Sequence, residues 1–472
     1  MELAFKVSEG ILRFFFRAFS HEADSDRFRM VQHRLSEEWD MLSWFTGLLR
    51  FFKRATRPAR TCRQQMKLRV TCILGAGATI QVGGPTVGSL TQDVCLKLQT
   101  TRDPISGDWH EVPFLRDVAS RLNEFLAPAE CNFEDMLHAL ETLDSYRSGW
   151  HRTTAPIFRP RPAAFLSPRD LRWFDPFALQ NAKNDLVRAV AERVEGSAEA
   201  FRPDFEHRWF QSFWTRAFGC AQWDLATLNY DDLFERIAVD FEDGYDRRAA
   251  NTPVPFKSER IWSASPLRIL HLHGSILFGY PKEVQTDLWG AAFHDLWKFR
   301  DSKSARQTWF NRSSNTSQAN EEAIIGPIIT GLRKPDKLTA QPYDEYQDVL
   351  CEAIRQSPRL LVIGYSFGDL YLNSILNRMP ALHKQERRIV FVTRFGNPEH
   401  WHCDPHILSK GWLNRSMFEF LARAMGTAEP FGRSLTYKEV LISEDKCCRI
   451  YLNGTRPVLE EHGGEILDFL TS

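Results

Sequence analysis

Short apolar runs, each ending in a turn-forming residue, alternate along this chain with longer stretches of helical period. Leu68, Val70, Cys72, Ile73 and Leu74 form one such run, and its β-branched content predicts a buried parallel strand. Residues 224–228, 268–276, 360–363 and 387–393 read the same way, and 449–452 adds a further strand near the C-terminus. Between these runs, apolar residues recur every three or four positions, which predicts amphipathic helices. They fall at 89–99, 114–126, 133–146, 182–194, 205–218, 232–241 and 343–355, onward from Asp369, and at 412–425 and 458–470. The helix at 133–146 is the clearest, with Leu137, Leu140 and Leu143 on one face. Strands separated by helices predict an α/β fold with a doubly wound parallel sheet.

The pattern divides the chain into an N-terminal extension at 1–65, a main domain at 66–400 and a C-terminal α/β extension at 401–472. Two insertions interrupt the main domain, a helical module at about 100–205 and an aromatic, charged stretch at about 280–335. Residues 153–176 are rich in Pro and Arg and predict an irregular excursion. The extension reads as helical and rich in Phe and Trp, and it runs into a basic stretch that includes Arg50, Lys53, Arg54, Arg57 and Arg60. Three readings stay open for it: a helix packed on the main domain or a partner, a basic amphipathic helix on an acidic membrane surface, or a poorly structured leader.

Composition narrows the class of protein. Lysine plus arginine and aspartate plus glutamate both number 60, so no overall basic field points to nucleic acid. Nine scattered cysteines with no CxxC pair predict reduced thiols, a cytoplasmic location and no metal site. The apolar stretch at 41–52 is short of the roughly 18 residues a membrane span needs.

Candidate chemistry collects where the strands end. The first run leads into Gly75-Ala76-Gly77-Ala78-Thr79, a turn whose glycines let backbone approach a ligand closely. A helix start after it would aim N–H groups at a phosphate, although Gly83-Gly84-Pro85 inserts a second loop first. An ordinary tight turn would look the same. Asn229 and Asp231 follow the second strand, where a turn closure and a helix cap are the bland alternatives. His273 precedes Gly274 at the end of the third, and Gly364-Tyr365-Ser366 follows the fourth. Open α/β sheets bind their ligands at such carboxyl ends.

In this order, Gly75-Ala-Gly-Ala-Thr79, Thr227-Leu-Asn-Tyr-Asp231, His271-Leu-His-Gly-Ser275 and Gly364-Tyr-Ser-Phe-Gly-Asp369 resemble the sirtuin-like (SIR2-like) NAD-binding fold. The resemblance is closest to the bacterial anti-phage defence branch and covers about residues 68–395. It implies that Gly75, Ala76 and Gly77 hold the NAD pyrophosphate, that Thr79 and Pro85 also bind the cofactor, and that Gly364, Ser366 and Thr393 line the adenosine end. It also implies catalytic roles for Asn229, Asp231 and His273, with Asn229 placing a water, Asp231 holding the carboxamide and His273 acting as base.

Departures from the sirtuin pattern shape the expected activity. Leu228 stands where deacylases carry Gln, Gly84-Pro85-Thr86 replaces their Asp-Phe-Arg, and the four-cysteine zinc ribbon is missing. The resemblance therefore implies an NAD+ hydrolase with NAD as substrate, serving as effector of a defence system and working as a homo-oligomer or with a partner defence protein. A protein deacylase and a non-catalytic NAD or ADP-ribose sensor are the alternatives.

Overall fold

The computed structural model describes residues 68–102, 109–128, 130–148, 176–249, 253–280, 295–309, 313–316, 322–330, 337–338, 340–394, 420–426 and 440–472. The extension at 1–65, most of the excursion at 153–176 and most of the helix expected at 412–425 lie outside them.

Seven strands form the central sheet: β1 (Arg69–Leu74), β2 (Gln222–Thr227), β3 (Leu267–His271), β4 (Arg359–Ile363), β5 (Arg388–Val392), β6 (Val440–Ile442) and β7 (Cys448–Tyr451). Their order is β6-β7-β5-β4-β1-β2-β3, parallel throughout except for the β6–β7 pair. The chain steps from β1 to β2 and β3 on one side, then returns to place β4 on the other side of β1. Strand order thus reverses between β1 and β4, and their carboxyl ends open the crevice where doubly wound sheets bind ligands.

Alternate residues of each strand enter two different cores, because successive side chains point to opposite faces. Ile73, Ala226, Leu270, Leu360 and Val362 pack with Tyr346, Val349 and Leu350 of helix Tyr343–Gln356. Val70, Cys72, Leu74, Leu225, Ile269, Leu361 and Ile363 pack with Phe210, Phe213 and Trp214 of helix Arg208–Cys220, and with Ile466 and Leu470. Fully buried aliphatics on both faces account for the continuous apolar runs seen in the sequence. The helical module has its own core, in which Leu115, Met136, Leu140, Leu186 and Val190 are fully covered.

Several boundaries differ from the sequence reading for local reasons. The helix expected at 232–241 stops after Leu233–Ile237, since Glu242 bonds backbone to backbone with Leu267 and Ile269 and continues the sheet edge beyond β3. The strand expected at 268–276 ends at His271, because Gly274 turns the chain with φ +96°. The C-terminal helix is two, Thr455–Glu461 and Gly463–Thr471, with the break at Gly463 packed so closely on Phe213 that a Cβ would sit 2.9 Å from its ring. The helix expected at 89–99 is Val87–Cys95, capped at Thr86 by a reciprocal bond pair with Ser89. Among the described residues no helix is long and apolar enough to cross a membrane.

Candidate active site

The two glycine turns at the β1 and β4 ends lock into each other. Gly75 N donates to Ile363 O and Gly77 N to Gly364 O, both at 3.0 Å. A Cβ on Gly75 would meet Gly364 O at 2.5 Å, and one on Gly364 would meet Ala78 N at 2.3 Å. Gly364 also sits at φ +62°, a conformation costly for any residue with a Cβ. The glycines at 75, 77 and 364 are thus required first by backbone packed against backbone, a cause the sequence reading had assigned to ligand approach. No α-helix starts directly after this turn: two short 3₁₀ turns, Ala76–Ala78 and Ile80–Val82, intervene before Val87. Ala76 is exposed at the mouth, Gly77 and Pro85 are half-buried, and Thr79 is buried.

Asn229 joins β2 to this turn. Its Nδ2 donates to Gly75 O and to Thr79 Oγ1, each at 3.2 Å, and its backbone N donates to Thr227 Oγ1. The amide therefore has a positioning role that the motif alone did not reveal. Asp231 Oδ1 accepts from Leu233 N at 3.3 Å, the cap-like bond that its sequence position allowed. Its carboxyl is pushed up to about 7, chiefly by burial, against which the Leu233 N–H works. A carboxyl held near neutrality can donate or accept a proton at ordinary pH.

His273 Nε2 lies 2.8 Å from Asp369 Oδ2, a bond that spans from the end of β3 to the turn after β4. The other oxygen, Oδ1, accepts from Leu372 N at 3.0 Å and caps helix Leu370–Leu376. Tyr365 supports this corner by donating its hydroxyl to Asn373 Oδ1 at 2.7 Å. Sequence reading recognised Asp369 only as the last residue of a turn motif. Its spacing after glycine and before an apolar helix signalled a cap, and nothing local could reveal that its second oxygen reaches a histidine 96 positions away.

His271, two residues earlier, differs from His273 in its partners and not in its depth: His271 is 1% exposed and His273 is 6%. His271 Nε2 faces Glu235 Oε1 at 2.9 Å inside a buried ionic group that includes Lys298 and Asp243. Burial would raise the Glu235 carboxyl, but His271 and Lys298 outweigh it and hold the carboxyl well below its usual range. Burial likewise opposes the Lys298 charge, yet Asp243 and Glu235 raise its ammonium above the ordinary value.

Ser366 is exposed at the mouth, and Thr393, half-buried, continues the β5 end by accepting from Gly454 N at 2.9 Å. Thr455 was missed: its hydroxyl donates to Gly77 O at 2.7 Å, tying the C-terminal extension to the turn. The structure thus brings Gly75, Ala76, Gly77, Thr79, Asn229 and Gly364 together around the crevice. His273 and Asp369 bridge from β3 to β4, and Asp231 lies within electrostatic reach of Glu235 and His271 in the ionic group. Among the described residues, no group of three or more His, Cys, Asp or Glu is placed to hold a metal.

Residues 224–406 match a family model described as SIR2-like domain. The matched span contains Asn229, Asp231, His273, Gly364 and Asp369, while the Gly75 turn precedes it. No curated protein matches the chain. Among solved structures, a mutant of Sir2 homologues in complex with 2'-O-acetyl ADP ribose is 11% identical, covering 86% of this chain and 94% of that one, with a TM-score of 0.35. A Sir2 homolog–NAD complex is 13% identical, covering 86% and 91%, also with a TM-score of 0.35. The doubly wound sheet runs through the matched span, and residues 224–406 are similar to a SIR2-like domain.

Proposed function

We propose that the crevice binds NAD+ and cleaves its nicotinamide–ribose bond, giving nicotinamide and ADP-ribose. The observation that carries this reading is the His273–Asp369 bond standing at the strand ends beside the interlocked glycine turns. Asp369 orients the ring and stabilises its protonated form, the arrangement a general base needs. The SIR2-like match supports NAD as the substrate.

The reaction balances with one water. The glycosidic C–N bond breaks, its electron pair neutralises the nicotinamide ring nitrogen, and the ribose passes through an oxocarbenium-like state. Water oxygen then bonds the anomeric carbon while His273 takes the released proton. In this scheme Asn229 keeps the Gly75 turn in place, and Ala76 and Gly77 flank the diphosphate. Thr79 and Pro85 complete that wall, while Gly364, Ser366 and Thr393 line the adenosine side. Asp231, near its midpoint at neutral pH, bonds the carboxamide of the departing nicotinamide.

The biological role we propose is that of an effector in bacterial anti-phage defence, in which loss of NAD arrests the infected cell. The test is chromatography of nicotinamide released from NAD+ by the wild-type protein and by His273→Ala. The variant should lose about 10²–10⁴-fold in turnover. Equal release from both would remove His273 from the mechanism.

A further inference from the structure

The peptide that carries His273 is held from outside the central sheet. β3 ends at His271, and beyond it His273 O accepts from Ile329 N at 2.8 Å while Ser275 N donates to Pro327 O at 3.0 Å. Gly274, between these bonds, is bridged to Ile328, and a Cβ there would lie 2.0 Å from Pro327 O. Residues 326–330 thus form a strap pressed against the His273 turn. Two tyrosines hold the strap along its length: Tyr343 donates its hydroxyl to Gly326 O at 2.8 Å, and Tyr230 to Ile329 O at 3.3 Å. Its far end is held by the helical module. The buried Thr330 donates its hydroxyl to Glu134 Oε1 at 3.0 Å, and its carbonyl accepts from Lys337 Nζ at 2.9 Å. Lys337 is 2% exposed and also donates to Glu141 Oε1 at 2.5 Å. Glu134 and Glu141 stand two turns apart on helix Phe133–Ser148, a spacing that puts both on one face.

We infer that Lys337 is a positioning residue for the His273 base, acting through its grip on Thr330 O at the end of the strap. The role rests on the NAD cleavage proposed above. A buried ion pair adds little net stability over well-packed apolar side chains, so the Lys337–Glu141 pair is poorly explained as a stabiliser alone. What the ammonium supplies is direction. A bond from a charged donor is shorter and roughly twice as strong as a neutral one, and here it pins a single carbonyl. That carbonyl belongs to the residue directly after Ile329, whose amide holds His273 O. A strap that slips at Thr330 therefore moves the peptide of the base. Misplacement of a reacting group by about 1 Å costs about 10²-fold in rate.

The test separates positioning from stability in the full chain. Lys337→Met alone strands the Glu141 charge in a buried site, so it is combined with Glu141→Leu. The double variant replaces the pair by apolar side chains of similar size, and its urea midpoint should stay at or above that of wild type. Its kcat per folded molecule for nicotinamide release should nevertheless fall about 10- to 100-fold, with KM for NAD+ changed less than twofold. Thr330→Val is close to isosteric, keeps the ion pair and removes only the Glu134 bond, and it should lower kcat in the same sense. Hydrogen exchange read by mass spectrometry should be at least tenfold faster over residues 326–330 in the double variant, while the amides of β1 keep their wild-type rates. A double variant whose kcat stays within twofold of wild type would overturn the inference and leave the NAD reading standing. Unchanged exchange over the strap would overturn it too. Wild-type protein that releases no nicotinamide would sink the NAD reading, whereas strap exchange reports the Lys337 grip without any turnover.

Discussion

Asp369→Asn isolates the contribution of the His273 partner from that of the helix cap. Oδ1 of Asp369 caps helix Leu370–Leu376 through Leu372 N, while Oδ2 holds His273 Nε2. Asn serves as an N-cap about as well as Asp, so the helix keeps its bond and the cap alone should change stability by only a few tenths of a kcal/mol. The imidazole, in contrast, loses a hydrogen bond to a charged acceptor and faces an amide in its place. Such bonds contribute about 1.5–3 kcal/mol, and at about 1.4 kcal/mol per decade the expected loss in kcat is about 10- to 150-fold. Nicotinamide release across a range of NAD+ concentrations, with a urea midpoint on the same samples, reads both quantities. The account requires kcat per folded molecule to fall with KM nearly unchanged, alongside a loss of stability no larger than the lost bond contributes. A kcat per folded molecule within twofold of wild type would refute the dyad.

The other substitutions test neighbouring parts of the site. Gly364→Ala puts a Cβ 2.3 Å from Ala78 N at a left-handed backbone, and denaturant titration should show a loss of about 3 kcal/mol or more. His271→Ala breaks the buried Glu235 group and should cost about 3–5 kcal/mol while turnover per folded molecule stays within a few-fold of wild type; His273→Ala should do the reverse. Asn229→Ala removes two bonds to the Gly75 turn, so it should lower both turnover and stability, the latter by about 1–3 kcal/mol in thermal or denaturant unfolding. Asp231 keeps its proton to about pH 7 when folded, whereas the unfolded carboxyl releases it near 3.8. The folded state thus binds more protons between these values, and this contribution to stability is lost as pH rises from about 4 to 7. Asp231→Asn should flatten that slope and be the more stable protein at pH 8.

Much of the sheet was legible because buried parallel strands announce themselves as unbroken apolar runs, as at β1 and β4. The doubly wound parallel class also followed, since strands alternating with helices leave few architectures. What local pattern could not show were contacts set by the fold. Asn229 looked like a turn residue, and only the β1–β2 pairing brings its amide to Gly75 and Thr79. Gly75 and Gly77 looked like a ligand cradle, and the parallel β1–β4 pairing makes them partners of Gly364. The helix expected through Phe241 lost to sheet-edge pairing at Glu242, a long-range bond that outweighs local helical period. Strand β6 was too short, at Val440–Ile442, to stand out from its surroundings.

The central claim is tested most directly by incubating the protein at a concentration comparable to NAD+ in ¹⁸O-labelled water and resolving the products by mass spectrometry. The account predicts nicotinamide and ADP-ribose in equal amounts, with one labelled oxygen on the ribose of the ADP-ribose. Protein that binds NAD+ and returns it intact, or releases nicotinamide only when an acyl-lysine peptide is present and forms O-acyl-ADP-ribose, would contradict it.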